Sequence, residues 1–229
     1  MKYRYIWFDL GMTLVETPIE TLYRQVLKAF DIHRDAAEIR RAVYLTDKEF
    51  MRRYPHILGT QPAHFMPWYL GILNYNLGVR LDLEENYRIF ADAQSRMGLK
   101  WRPVPGAHEL LRRLKGQGVG LGLISNWDHT CRRVLADNGL DALLDVTVVS
   151  SEVGIEKPNP EIFRMALETA GVRAEEAMYV GDNYYDDVVG AGGVGIKCLL
   201  IAPYGRLGLE EISHRATIRS IEEVRDYLE

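Results

Sequence analysis

Five short apolar runs, each of strand length and each bounded by a turn or a helix-like stretch, limit what this chain can fold into. They cover residues 3–9, 119–124, 146–149, 177–180 and 196–201. A strand with one wet face alternates apolar and polar residues. These runs are near-continuously apolar and so need cover on both faces. From residue 102 onward they alternate with helical patterns over 106–116, 128–138, 160–170, 185–191 and 220–228. Strand–helix alternation of this kind builds a parallel sheet between helices, an α/β fold.

Between the first run and residue 98 the rhythm is different. Leu22, Val26, Leu27 and Phe30 recur at helical spacing, as do Ile39, Val43 and Phe50, with Pro55 closing the second segment. An aromatic helix is expected over 62–77. A fourth should start at Asp82-Leu83-Glu84-Glu85, where Asp82 is an N-cap and Glu85 completes a capping box. Four helices in about 80 residues form a small bundle. The stiff connector Arg102-Pro103-Val104-Pro105-Gly106 then returns the chain to the sheet. The expected organisation is a core of residues 1–15 and 98–229 with a helical domain, 16–97, inserted after the first strand.

The chain has 229 residues, 47% of them hydrophobic and 26% charged, with a formal net charge of −4. That composition buries a full core and carries neither a nucleic-acid footprint nor a pull toward an anionic membrane. The two cysteines, Cys131 and Cys198, are far apart and lack metal-type spacing. No apolar run reaches the roughly 18 residues of a membrane span, and the N-terminus enters the first strand without a signal-peptide pattern. A cytoplasmic protein, monomer or homodimer, is expected.

The apolar runs end in polar groups of a consistent kind. Asp9 closes the first, Ser125-Asn126 the second and Asp182 the fourth. In a parallel sheet these ends share one edge, where ligands bind. Lys157 follows the third run between Gly154 and the two prolines Pro158 and Pro160, which fix the backbone beside it. Asp9, Asp182, Asp186 and Asp187 crowd one edge with carboxylates and call for a counter-charge. Oxygen-only ligands suit Mg²⁺, and a placed lysine with hydroxyl donors suits a phosphoryl group. Asp9 beside these groups can attack phosphorus and carry it as an aspartyl-phosphate.

Four stretches together resemble the haloacid dehalogenase superfamily, subfamily I, in its phosphatase-like branch. They are Phe8-Asp9-Leu10-Gly11-Met12-Thr13-Leu14, Leu123-Ile124-Ser125-Asn126, Lys157-Pro158-Asn159-Pro160, and Val180-Gly181-Asp182-Asn183-Tyr184-Tyr185-Asp186-Asp187. The resemblance spans essentially the whole chain. It implies a Rossmannoid core with an inserted helical C1 cap that closes over the site and selects a small phosphorylated metabolite. It makes Asp9 the nucleophile. Ser125, Asn126 and Lys157 hold the phosphoryl group, with Lys157 also steadying Asp9. Asp9, Asp182 and Asp187 are the Mg²⁺ ligands, joined by the main-chain carbonyl of Gly11.

Position 11 departs from the family pattern. The residue two after the nucleophile is ordinarily a second Asp, the general acid/base, and here it is glycine followed by Met12. A positioned acid/base contributes about 10²–10⁴-fold to rate. Three outcomes stand open at this point: hydrolysis of substrates with good leaving groups, an aspartyl-phosphate that turns over slowly, or a protein that keeps binding and loses catalysis to serve a regulatory role. Glu16, His56 and His64 are candidates for a replacement acid. The superfamily's 2-haloacid dehalogenases also lack the second Asp, but they lack the acidic fourth stretch as well, so Asp182 and Asp187 favour phosphoryl chemistry.

Overall fold

In the computed structural model, which describes residues 3–59, 62–98 and 100–228, the first strand, β1 (Tyr5–Phe8), is buried along its whole length. Residues 1, 2, 60, 61, 99 and 229 of the expected domain ranges lie outside the described residues. After β1 the chain turns on the Leu10 carbonyl, which accepts the N–H groups of Leu14 and Val15, both at 2.9 Å. Met12 takes a left-handed φ of 52° in this turn, unusual for a residue with a side chain. β2 (Val15–Glu16) then pairs antiparallel with β3 (Arg102–Pro103), so the outgoing and returning chains run as a two-residue ribbon.

Between them lie α1 (Ile19–Ala29), α2 (Ala36–Arg53), α3 (Met66–Asn76) and α4 (Leu83–Met97). Leu22, Tyr23, Val26 and Leu27 of α1 share a core with Ile39, Val43 and Phe50 of α2, Leu70 and Leu73 of α3, and Phe90 of α4. The cap of α4 is one-sided: Asp82 accepts from the Glu85 N–H at 2.8 Å. The reciprocal capping box sits instead at α2, where Asp35 accepts from Glu38 N–H (2.7 Å) and Glu38 from Asp35 N–H (2.9 Å).

The second part of the chain runs α5 (Ala107–Gly116), β4 (Gly120–Ser125), α6 (Cys131–Asp137), β5 (Val146–Val149), α7 (Ser150–Val153), α8 (Pro160–Ala170) and β6 (Ala177–Gly181). A π-helical turn, Tyr184–Val188, leads into α9 (Val189–Gly193) and β7 (Lys197–Ile201). The two-residue β8 (Thr217–Ile218) joins the sheet edge, too short to be read from sequence. The expected final helix is a 3₁₀ run, Ile221–Tyr227.

The sheet order is β5-β4-β1-β6-β7-β8, with every pairing parallel. β1 is central, and its alternate side chains feed opposite faces. Ile6 and Phe8 pack with Leu110, Leu111 and Leu114 of α5, and Tyr5 and Trp7 with Ile162, Phe163 and Ala166 of α8. Each fully buried side chain of this size contributes about 1.5–3 kcal/mol over leaving it exposed. This two-sided burial is why the runs carry no polar alternation.

The chain divides into two compact units. One comprises Met1–Glu16, Trp101–Gly205 and Glu211–Glu229, and the other comprises Thr17–Lys100 and Arg206–Glu210. Among the described residues no helix is long and apolar enough to cross a membrane.

Candidate active site

The parallel register sets the site. Phe8 pairs with Leu123 on one side and Val180 on the other. Asp9 follows Phe8 by one residue, and Ser125 and Asp182 follow Leu123 and Val180 by two, so all three emerge at the C-terminal edge of the sheet. Carboxylate oxygens of Asp9, Asp182 and Asp187 all lie within 4.8 Å of one another.

Lys157 stands among them. Its ammonium donates to Asp9 Oδ1 at 2.8 Å, to Asp187 Oδ1 at 2.6 Å and to the Tyr179 hydroxyl at 2.9 Å. Lys157 is 2% exposed and Asp187 fully buried. A buried cation is stable only when matched in this way. Burial acts to lower the lysine's pKa, but the Asp187 and Asp9 carboxylates outweigh it and hold the ammonium charged. Burial is likewise the largest influence on Asp9 and pushes its carboxyl up to about 6. Lys157 pulls it back, and Asp187 and Asp182 add to the rise.

The backbone of Lys157 is held as firmly as its head. Asn126 Oδ1 accepts the Lys157 N–H at 2.8 Å, and Asn126 Nδ2 donates to the Lys157 carbonyl at 2.9 Å. The Asn126 side chain is thus a reciprocal clamp on the Lys157 backbone. Asp187 is aimed from the first turn after β6, where Asp187 Oδ2 accepts the Asn183 N–H at 2.9 Å. Gly181 makes room for it: a Cβ there would lie 2.1 Å from Asp187 Oδ2.

Two hydroxyls beside these strand ends, Ser125 Oγ and Thr13 Oγ1, are buried without a hydrogen-bond partner. A buried hydroxyl left unmatched costs about 1–3 kcal/mol, and such groups concentrate where a ligand completes them. Three carboxylates against one ammonium leave excess negative charge in an oxygen-only donor set, the pattern that fits a hard divalent cation.

All seven residues singled out from sequence lie in the same unit. Asp9, Lys157, Asp182 and Asp187 are gathered into one cluster, with Ser125 and Asn126 on the adjoining strand end and Gly11 two residues beyond Asp9. Of the candidate replacement acids, Glu16 is ion-paired to Arg102 at 3.1 Å across the ribbon. His56 and His64 belong to the helical unit and are exposed. Sequence reasoning missed Tyr179, whose hydroxyl accepts from Lys157 and donates to the Ile124 carbonyl at 2.7 Å. A phenol in an otherwise aliphatic buried strand was the available signal, since a buried tyrosine needs a partner.

The family profile described as haloacid dehalogenase-like hydrolase matches residues 6–201. The glyceraldehyde 3-phosphate phosphatase of Pyrococcus furiosus is 31% identical over 223 residues, covering 91% of this chain and 85% of that one. Among solved structures, the magnesium-bound HAD-hydrolase YfnB of Bacillus subtilis superposes with a TM-score of 0.64 at 21% identity, over 100% of this chain and 99% of that one. A dehalogenase captured with an intermediate superposes with a TM-score of 0.63 at 20% identity, over 99% and 97% of the two chains. At those identities the structural likenesses speak for the fold alone.

Proposed function

The chain belongs to the haloacid dehalogenase-like hydrolases, and on that footing we propose that it is a Mg²⁺-dependent phosphatase of small phosphorylated metabolites working through Asp9. The observation that carries the reading is the buried Lys157 ammonium shared between Asp9 and Asp187 at 2.8 and 2.6 Å. A carboxylate fixed beside a cation, next to a donor hydroxyl, is what nucleophilic attack on a phosphate dianion requires. A relative that is a glyceraldehyde 3-phosphate phosphatase supports hydrolysis of a phosphate ester.

Asp9, with its carboxyl near 6, is mostly ionised at neutral pH. Its free oxygen attacks phosphorus. The bond from phosphorus to the leaving oxygen breaks with its electron pair, and the leaving group departs as an anion. Water then attacks the phosphorus of the aspartyl-phosphate. The bond to Asp9 breaks, one water proton stays on the released phosphate, the other passes through solvent to the departed anion, and the carboxylate is restored. Ser125 Oγ and the Asn126 main-chain N–H donate to phosphoryl oxygens, while Lys157 steadies the charge shared between Asp9 and phosphate. Asp9, Asp182, Asp187 and the Gly11 carbonyl would hold Mg²⁺, which supplies positive charge against the phosphoryl oxygens.

The test is hydrolysis of p-nitrophenyl phosphate with Mg²⁺, paired with borohydride trapping and mass analysis of the Asp9 peptide. Turnover that is lost in Asp9→Asn and in chelator, with label on Asp9, is the expected result. Turnover that survives Asp9→Asn would overturn the assignment.

A further inference from the structure

Gly11 and Trp127 lie in the loops that follow the neighbouring strands β1 and β4, each two residues beyond the group, Asp9 or Ser125, that the proposed chemistry uses. They meet. A Cβ built on Gly11 would lie 3.2 Å from Trp127 Cζ3 and 4.0 Å from Cη2. The backbone at Gly11 is not in the left-handed region, so a side chain there is opposed by the indole, which would have to give by a few tenths of an ångström, and not by the conformation. The indole is held from two directions and its backbone from a third. Its Nε1–H donates to Thr130 Oγ1 at 3.0 Å. Its ring packs edge-on against Trp101 with centroids 4.8 Å apart. Its main-chain N–H donates to Ser150 Oγ at 3.1 Å.

We propose that Trp127 is a specificity-determining residue. Its indole fills the volume into which a side chain at position 11 would grow, and it faces the departing group with an apolar wall where a proton donor would otherwise stand. The proposal rests on the phosphatase reading above and deepens it by naming a substrate class: phosphate esters whose leaving group is apolar and leaves as a stable anion without taking a proton. In the transfer step the electron pair of the breaking bond stays on such a group, so an aromatic wall beside it costs nothing in unmet proton demand. An aryl leaving group also gains ring contact with Trp127. A small alkoxide, hydrophilic and strongly basic, gains neither.

Two measurements separate the parts of this claim. The first needs no turnover: a double-mutant cycle in Tm on metal-free protein, using Gly11→Ala, Trp127→Ala and the pair. Gly11→Ala alone lowers Tm by roughly 2–6 °C through crowding, and it lowers it by at most a third as much when Trp127 is already alanine. Additive shifts would overturn the steric claim. The second is kcat/KM with Mg²⁺ for p-nitrophenyl phosphate, phenyl phosphate and glycerol 1-phosphate. The wild type favours the aryl esters over glycerol 1-phosphate. Trp127→Phe keeps that preference, Trp127→Ala cuts it about tenfold or more, and Gly11→Asp/Trp127→Ala raises glycerol 1-phosphate turnover above that of either single variant. An unchanged preference in Trp127→Ala would overturn the specificity claim even if the cycle is coupled. No wild-type turnover of any ester would sink the phosphatase reading, and the substrate class with it, while the cycle still decides the steric contact.

Discussion

Replacing Lys157 with methionine tests whether the carboxylate cluster depends on one cation. The side chain keeps its approximate length and loses its charge, leaving Asp9, Asp187 and Asp182 facing one another. Each contact, at 2.8 Å to Asp9 and 2.6 Å to Asp187, is worth about 6 kcal/mol of attraction at an effective dielectric of about 20. The cost of burying the ammonium opposes it. Breaking a buried pair by removing one partner costs about 3–5 kcal/mol. At about 2–4 °C per kcal/mol for a chain of this size, the metal-free variant should melt roughly 6–20 °C below wild type at pH 7.5. The pH dependence gives a second, independent sign. Lys157 is the group that pulls the Asp9 carboxyl down toward 6 against burial, Asp187 and Asp182, so in the variant that carboxyl rises further. A carboxyl whose folded pKa lies above its unfolded value, about 4, binds more protons in the folded state, so stability rises as pH falls through that window. The gap between variant and wild type should therefore narrow between pH 7.5 and pH 5. Thermal melts by circular dichroism in chelator measure both. A gap under about 2 °C, or one that widens on acidification, would refute the argument that the lysine holds the cluster together.

Three further outcomes follow from the geometry. Gly181→Ala places a Cβ where Asp187 Oδ2 now stands, 2.1 Å away, and should weaken Mg²⁺ binding by about tenfold or more. Titration calorimetry that finds unchanged affinity would remove Asp187 from the proposed ligand set. Tyr179→Phe strips the hydroxyl from both Lys157 and the Ile124 carbonyl and should destabilise the protein by about 1–3 kcal/mol, read from urea melts. At the far end of β4, Asp145 is held below the usual carboxylate range. Partial burial acts the other way, but the Leu121 N–H and Lys115 outweigh it. The Tm deficit of Asp145→Asn should be present at neutral pH and fade as pH falls below about 4, where the native carboxylate takes up its proton.

The core was legible because two-sided burial leaves an unmistakable trace. Runs such as Val146-Thr147-Val148-Val149 and the one ending in Asp9 can be little else than strands of a covered sheet, and parallel register then delivers their end groups to one edge. Lys157, Asp182 and Asp187 were legible for the same reason, since charge that dense beside apolar runs needs matching. What sequence hid falls into three kinds. β2, β3 and β8 have two residues each, and two residues carry no period. The capping box was read at Asp82 and stands at Asp35 because both sites offer an acid three residues before a glutamate; only the turn geometry decides whether the glutamate reaches back. Trp127 was invisible for a third reason. Its meaning comes from Gly11, a residue more than a hundred positions away, and nothing along the chain links them.

The central place of β1 bears on the order in which the protein is made. Tyr5–Phe8 leaves the ribosome well before its two sheet neighbours, β4 and β6. At about 5–20 residues per second, Gly181 follows Phe8 by roughly 9–35 s. Through that interval the strand bearing the proposed nucleophile has no partner on its β6 side, while the core of the helical unit, drawn from residues 19–97, is complete long before Gly181 is made. The carboxylate synthesised first is thus the last to gain its surroundings: until Asp182 and Asp187 emerge, Asp9 ends an unfinished sheet.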